Sequence, residues 1–341
     1  MQITPPKPPR PTMTHGKEVE FLVRYVHQLA ITGTDPEEGL CRMQEANPGV
    51  VVVPLTQDED DVVPEDYTKT LKMNGVDINP LANAHWISPA DYHRWTIDED
   101  ITVRSTPEER QQDVPAPGQR QFGWYGLELI SPANPNTPAS HQEMTFVLGV
   151  LRQKYGDRMR VNNRCGLHVH VGMGPDAIPV AQLRRIAALL YAADPVLASH
   201  PAAGRGRGAA GVHHGLRRVP ATTVPRRQGQ LQLQQLSRAA AAPGYVTVEF
   251  RQHEGTLDPA RIEAWARLCV GLTEWAAFNM TDDQLARVVT ATEWVEQRQS
   301  QNPQPQQQGL VDLLRRDALR HLLELAGLGE FVPFYGLQRQ Q

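Results

Sequence analysis

Hydrophobic and polar residues alternate with a period of two in four separate stretches of this chain. In "KEVEF", Glu18 and Glu20 share one face, and Val19 and Phe21 share the other. "GLHVHVG" sets His168 and His170, with Gly166 and Gly172, against Leu167, Val169 and Val171. "YVTVEFRQH" sets Glu249, Arg251 and His253 against Val248 and Phe250, and "YGLELISP" sets Glu128 against Leu127 and Leu129. Each pattern predicts a strand with an apolar side for helices to cover and a side bearing carboxylate, imidazole or guanidinium.

Between these stretches the period changes. "DPEEGLCRMQEAN" has apolar spacing at Leu40 and Met43, and "ASHQEMTFVLGVLRQKYG" carries Met144, Val147, Val150 (or Leu151) and Tyr155 at helical spacing. "IPVAQLRRIAALLYAAD" is a further amphipathic helix, and "DPARIEAWARLCVGLTEWAAF" starts one with Asp258 as N-cap and Pro259 at the first position. Trp265 and Trp275 on that last helix read as core. "GVVVVPL" reads as a short buried strand, "QDEDDVVPED" as a solvated loop, and "HRWTIDEDITV" as two short strands around an acidic turn. Strands often follow strands, which predicts an α+β fold on a mainly antiparallel sheet with helices packed on one face. Residues 1–14 read as a disordered proline-rich arm, 15–280 as the main domain, and 281–341 as a helical C-terminal segment with a Gln-rich linker at 297–309. Within the main domain, 199–243 is a low-complexity excursion.

Composition narrows the classes. At 341 residues, 40% hydrophobic and 21% charged, the chain has the balance of a soluble globular protein. A formal net charge of -4 gives no bulk attraction to nucleic acid or anionic membranes, and neither partner is expected. No run is apolar and long enough for a bilayer, and the N-terminal stretch lacks the apolar core of a signal peptide. Cys41, Cys165 and Cys269 are few, odd in number and far apart, against a disulfide framework or a cysteine-rich zinc site. A reducing, cytoplasmic address is the expectation, with Cys165 a packing residue. "GRGRG" has no strand before it and no Gly-Lys-Ser/Thr after it, so it reads as linker and not as a phosphate loop.

His168 and His170 on one strand face are compatible with core filling, zinc binding or phosphate handling. The polar faces taken singly read as exposed sheet. Taken together they lack the lysine, threonine and glutamine of such a surface and hold carboxylate and histidine instead. Facing carboxylates repel and raise one another's pKa unless a cation lies among them. Oxygen-rich ligation with a single imidazole suits Mg²⁺ or Mn²⁺ better than zinc.

These residues carry a resemblance. "HGKEVEFLV", "WTIDEDIT", "LELISP", "CGLHVHVG" and "EFRQHEGT" resemble, in this order, the motifs of the amidoligase family, within the glutamine synthetase and glutamate–cysteine ligase superfamily. The resemblance spans roughly residues 16–275. It implies a glutamine synthetase-like catalytic domain, a curved sheet whose concave face holds ATP and divalent ions. The implied chemistry is phosphorylation of a carboxylate by ATP, then attack of an amine to form an amide. It implies that Glu18, His168 and Glu249 hold one Mg²⁺, Glu20 and Glu128 another, and that His170 contacts a phosphate. Arg251 would clamp the moving phosphoryl group, and Asp100 would bind the amine or a further metal. Two residues depart from the family pattern: Thr102 stands where serine is usual, and Lys17 stands where a hydrophobic residue is usual.

Two rival functions use the same residues. A metal-dependent hydrolase would bind zinc through the His-x-His pair, but calls for further histidines and an aspartate on the later strands of a barrel. A protein that keeps the fold and binds nucleotide or metal without catalysis is the other.

Overall fold

The computed structural model describes residues 12–27, 35–46, 48–54, 57, 59–79, 93–112, 122–174, 176–197, 247–300 and 305–337. Most of the expected arm and the whole 199–243 excursion lie outside them. In chain order the elements are β1 (Thr14–His27), α1 (Pro36–Ala46), β2 (Val51–Val53), α2 (Glu59–Met73), β3 (Thr96–Glu99) and α3 (Pro107–Gln112). Then come β4 (Gly123–Ile130), β5 (Asn134–Pro135), α4 (Pro138–Tyr155), β6 (Met159–Arg160), β7 (Gly166–Gly172) and α5 (Val180–Leu197). The chain closes with β8 (Val248–Glu254), α6 (Pro259–Phe278), α7 (Asp282–Ser300), α8 (Pro305–Leu325) and α9 (Phe331–Phe334).

The fold is α+β: one open eight-stranded sheet with helices packed around it. Its main path is β3-β4-β1-β7-β8, antiparallel throughout, and β2, β5 and β6 also pair with β1. Only the β1–β2 pairing is parallel among the named strands. The long central strand β1 is therefore the scaffold to which every polar face is referred.

Alternation decides what each side does. Val19, Phe21 and Val23 of β1, Leu127 and Leu129 of β4, and Leu167, Val169 and Val171 of β7 are buried in one core with Met144, Leu148 and Leu151 of α4 and Trp265 of α6. Burying a side chain of this size contributes about 1.5–3 kcal/mol. The C-terminal helices share that core through Val288, Val295, Leu319, Leu322 and Leu323. Helix extends to Ser300 and resumes at Pro305, so only 301–304 of the expected linker at 297–309 falls outside the described residues. No helix among the described residues is long and apolar enough to cross a membrane.

Two local expectations fail. The acidic run read as a loop forms the start of α2, with Pro64 inside it. Val63, Tyr67 and Leu71 recur every four residues and are completely buried, and Tyr67 stacks on Tyr155 with ring centroids 3.8 Å apart. That stripe outweighs the proline, and carboxylates at a helix N-terminus are favoured by the dipole. "HRWTIDEDITV" yields one strand, β3, because Asp100 closes it: the Asp100 carboxylate accepts from both the amide and the hydroxyl of Thr102 at 2.7 Å and starts a turn.

A candidate metal centre on the polar face

Strand register places the polar residues side by side. Glu20 lies opposite Glu128 across β1 and β4, Glu18 opposite His168 across β1 and β7, and His170 opposite Glu249 across β7 and β8. Side chains directly opposite one another stand about 5 Å apart. Three such pairs on adjacent strands make one contiguous patch.

Glu18 is its hub. Its Oε2 lies 3.2 Å from His168 Nδ1, and its Oε1 lies 2.9 Å from His170 Nε2. His168 Nε2 is 3.3 Å from Glu20 Oε1, and His168 Nδ1 is 3.7 Å from Glu249 Oε1. Ligand-type atoms fall within 4.8 Å of one another in two sets, Glu18–His170–Glu249 and Glu18–Glu128–His168. The expected grouping put His168 with Glu249 and left His170 for phosphate; the distances bring both imidazoles within reach of an ion. Glu20 has an additional partner, since its Oε2 accepts the Gly166 amide at 2.6 Å. Arg251, 62% exposed at the mouth, donates to Glu249 Oε1 at 2.6 Å.

The electrostatics show a charge conflict. Burial, then the charges of Glu18, Glu20 and Asp100, push the Glu128 carboxyl up to about 9. Burial also raises Glu20, partly offset by His168. Burial would raise Glu18 too, but the adjoining His168 and His170 outweigh it and hold that carboxyl well below the usual range. His170 is drawn down by burial but raised overall by Glu18 and Glu249. A cation placed among such carboxylates would relieve their mutual repulsion and favour their charged forms. The donor set of four carboxylates and two imidazoles fits a hard divalent ion.

Three backbone features shape the patch. Gly166 is one: a Cβ there would lie 2.7 Å from His168 Nε2 and 3.4 Å from Glu20 Oε2. The glycine makes room for the ring of His168. Gly166→Ala should therefore displace His168 and cut divalent-cation affinity about tenfold or more, with little change in melting temperature without metal. Isothermal titration with Mn²⁺ checks this.

Gly126 is the second. A Cβ there would meet the backbone oxygens of Val103 at 2.3 Å and Asp100 at 2.5 Å, so the loop after β3 crosses directly over β4. The crossing brings Asp100 to the edge of the patch, close enough to raise Glu20 and Glu128. Thr102 holds the Asp100 carboxylate through its hydroxyl, the same group that a serine would offer. Behind the loop, Leu22, Val103 and Cys165 form a small apolar cluster that closes this end of the polar face. Cys165 is a packing residue there, its thiol pushed up to about 12 by burial. Beyond it Arg24 lies over Phe122 and Trp124, each 4.8 Å to the centroid.

A β-bulge in β8 is the third. Val169 pairs with Phe250 and Leu167 with His253, so Arg251 and Gln252 together oppose His168. The extra residue reverses the phase of the strand. His253, expected beside Glu249 and Arg251, is instead buried on the core side against Trp265, 5.3 Å between ring centroids. Thr247 enters the patch unforeseen, its hydroxyl 3.2 Å from His170 Nδ1. Its place two residues before Glu249 on the same face was the available signal.

With this geometry in view, the class follows from comparison with known families. The model of a family described as "putative amidoligase enzyme" matches residues 12–206. The chain belongs to that amidoligase family. A search of curated proteins finds no match. The matched span contains Glu18, Glu20, Asp100, Glu128, His168 and His170. Glu249 and Arg251 lie beyond it and join the site through register alone.

Proposed function

We propose that the protein is an ATP-dependent carboxylate–amine ligase that forms an amide through an acyl phosphate. The observation that carries this reading is the pair of ligand sets sharing Glu18, on the polar face of a chain whose family is named for amide-forming ligases. Glu18, His170 and Glu249 would hold one divalent ion, and Glu18, Glu128 and His168 a second, with Glu20 beside them. Mg²⁺ or Mn²⁺, when bound, would neutralise the charge of the ATP phosphates and of the acceptor carboxylate.

The protein's own groups would do the rest. Arg251, exposed at the mouth and tethered by Glu249, offers a planar donor fork to a phosphoryl group as it moves. The acceptor carboxylate oxygen would attack the γ-phosphorus of ATP, with ADP leaving, and the amine nitrogen would then displace phosphate from the acyl carbon. Asp100 at the rim would receive the amine as its ammonium form and take up a proton before attack. The apolar cluster of Leu22, Val103 and Cys165 excludes water from one end, where it would otherwise hydrolyse the acyl phosphate.

The test is nucleotide turnover. With Mg²⁺, purified protein should release ADP when a suitable carboxylate and amine are both present, as a screen of amino acids, polyamines and peptides would reveal. Arg251→Ala and Glu249→Ala should each abolish that release, and unchanged turnover in both would overturn the mechanism. Stoichiometric zinc, with no response of melting temperature to magnesium or nucleotide, would indicate the hydrolase. Tight Mg-ATP binding without turnover would indicate a binding protein.

A further inference from the structure

Lys17 directly precedes Glu18, the first of the two glutamates of the opening motif, and lies on the opposite side of β1 from the candidate metal centre. It is 2% exposed, in a position that alternation assigns to the core. Its Nζ donates to Glu263 Oε1 of α6 at 2.8 Å. The other carboxylate oxygen of Glu263 meets Nδ1 of His141 on α4. His141 Nε2 lies 2.9 Å from Asn136 Oδ1, and its ring stacks on that of His15, centroids 5.0 Å apart and planes 7° apart. The main chain of Lys17 is held as well: its amide donates to Ser131 Oγ, and its carbonyl accepts from the Ser131 amide, both at 2.8 Å.

A buried ion pair is poor evidence for stability, since well-packed apolar residues often serve as well or better. What this one joins is more informative. Lys17 belongs to β1, which carries Glu18 and Glu20. His141 and Ser131 belong to the segment that follows β4, which carries Glu128. Glu263 belongs to α6, which follows β8 with Glu249 and Arg251. One carboxylate behind the sheet thus ties together the three segments that supply the carboxylates in front of it. A slip of β1 by one residue would turn Glu18 and Glu20 into the core and strand Lys17 away from Glu263.

We infer that the Lys17–Glu263–His141 knot is a positioning device that fixes the spacing of Glu18, Glu128 and Glu249 and thereby sets the divalent-cation affinity of the opposite face. This rests on the metal-centre reading of that face. Lys17, Glu263 and His141 are positioning residues and touch no ligand themselves. The knot also accounts for lysine where the family usually has a hydrophobic residue: its partner is 246 positions away in sequence.

Mn²⁺ binding followed by electron paramagnetic resonance, with melting temperature measured in EDTA, tests the inference without any turnover assay. The Lys17→Met/Glu263→Leu variant removes both charges with side chains of similar reach. It should weaken Mn²⁺ binding at least tenfold while its EDTA melting temperature stays within a few degrees of wild type or rises. A purely structural knot would lower the melting temperature and leave affinity unchanged, and a double variant within twofold of wild-type affinity overturns the inference. If that variant fails to fold, Glu263→Gln keeps the shape and hydrogen-bonding reach without the charge. A loss of about threefold or more in it supports positioning, and wild-type affinity overturns it. Wild-type protein that binds no Mn²⁺ would overturn the metal-centre reading itself, and this inference with it.

Discussion

Glu18→Gln should abolish ADP release and erase the rise in melting temperature that Mg²⁺ or Mn²⁺ brings. Glu18 is the one residue common to both ligand sets, and it approaches both His168 and His170. Replacing an outer partner of a metal ligand commonly costs roughly 10–100-fold in affinity. Loss of a carboxylate shared by two ions should exceed that, on the order of 10²-fold or more. Glutamine retains the shape and can still accept from an imidazole, so the metal-free variant should melt within a few degrees of wild type. Glu249→Gln touches one set only and should reduce the Mn²⁺ stoichiometry or affinity without erasing it. A Glu18→Gln protein whose melting temperature still rises with metal as wild type does would remove these carboxylates from the metal centre.

The second large effect is a pH dependence that metal should reverse. Glu128 in the folded chain holds its proton up to about pH 9, against an ordinary glutamate value of 4.5. Between those values the unfolded chain has released a proton that the folded chain retains. Stability without metal must then fall as pH rises through that window, by roughly 1 kcal/mol per pH unit where the full proton difference operates. His170 acts in the same sense, because its raised folded value contributes stability that is complete below 6.5 and fades as pH climbs. Glu18 acts oppositely, but only in acid, where its lowered carboxyl protects until pH falls below the ordinary glutamate value. Below pH 6.5 the buried His15 and His253, both lowered by burial, oppose this trend, so thermal melts in EDTA should decline from about pH 7 to 9, and saturating Mg²⁺ should flatten the decline by replacing the proton. Binding at pH 7 should release a proton from Glu128, measurable with an indicator dye in weak buffer. Glu128→Gln should melt higher than wild type at pH 8 without metal and release no such proton. A wild-type curve that rises from about pH 7 to 9 in EDTA would contradict the burial of these like charges.

What the sequence disclosed followed from period two. Glu18, Glu20, His168 and His170 alternate with residues that are almost entirely buried, so their shared side could be read directly. The antiparallel sheet followed from strands succeeding strands. What it concealed needed long-range information. The Lys17–Glu263 pair spans most of the chain, and nothing local to "GKEVE" points to a helix that far downstream. α2 was hidden because its buried stripe is only three residues deep in a run of acids with a proline, and local propensity spoke for a loop. His253 was misplaced because a bulge leaves no mark on composition: every residue in "EFRQHE" suits a regular strand. The grouping of ligand-type atoms into two sets that share Glu18 was equally illegible, since it depends on which rotamer each carboxylate takes.

The bulge also governs how related chains should be compared. It acts as a frameshift within one strand: upstream, odd-numbered positions face the polar side, and downstream they face the core. Two homologues could therefore share the same residues, in the same order, and yet present different side chains to the ligand if one lacked the extra position. Spacing counted from Glu249 to Gly255 carries the information that residue identity alone does not. Gly255 fixes the far end of that count, because its amide donates to the Cys165 carbonyl at 2.7 Å and a Cβ there would lie 2.4 Å from that of Cys165. The strand is pinned at both ends, and its length between the pins is part of the site.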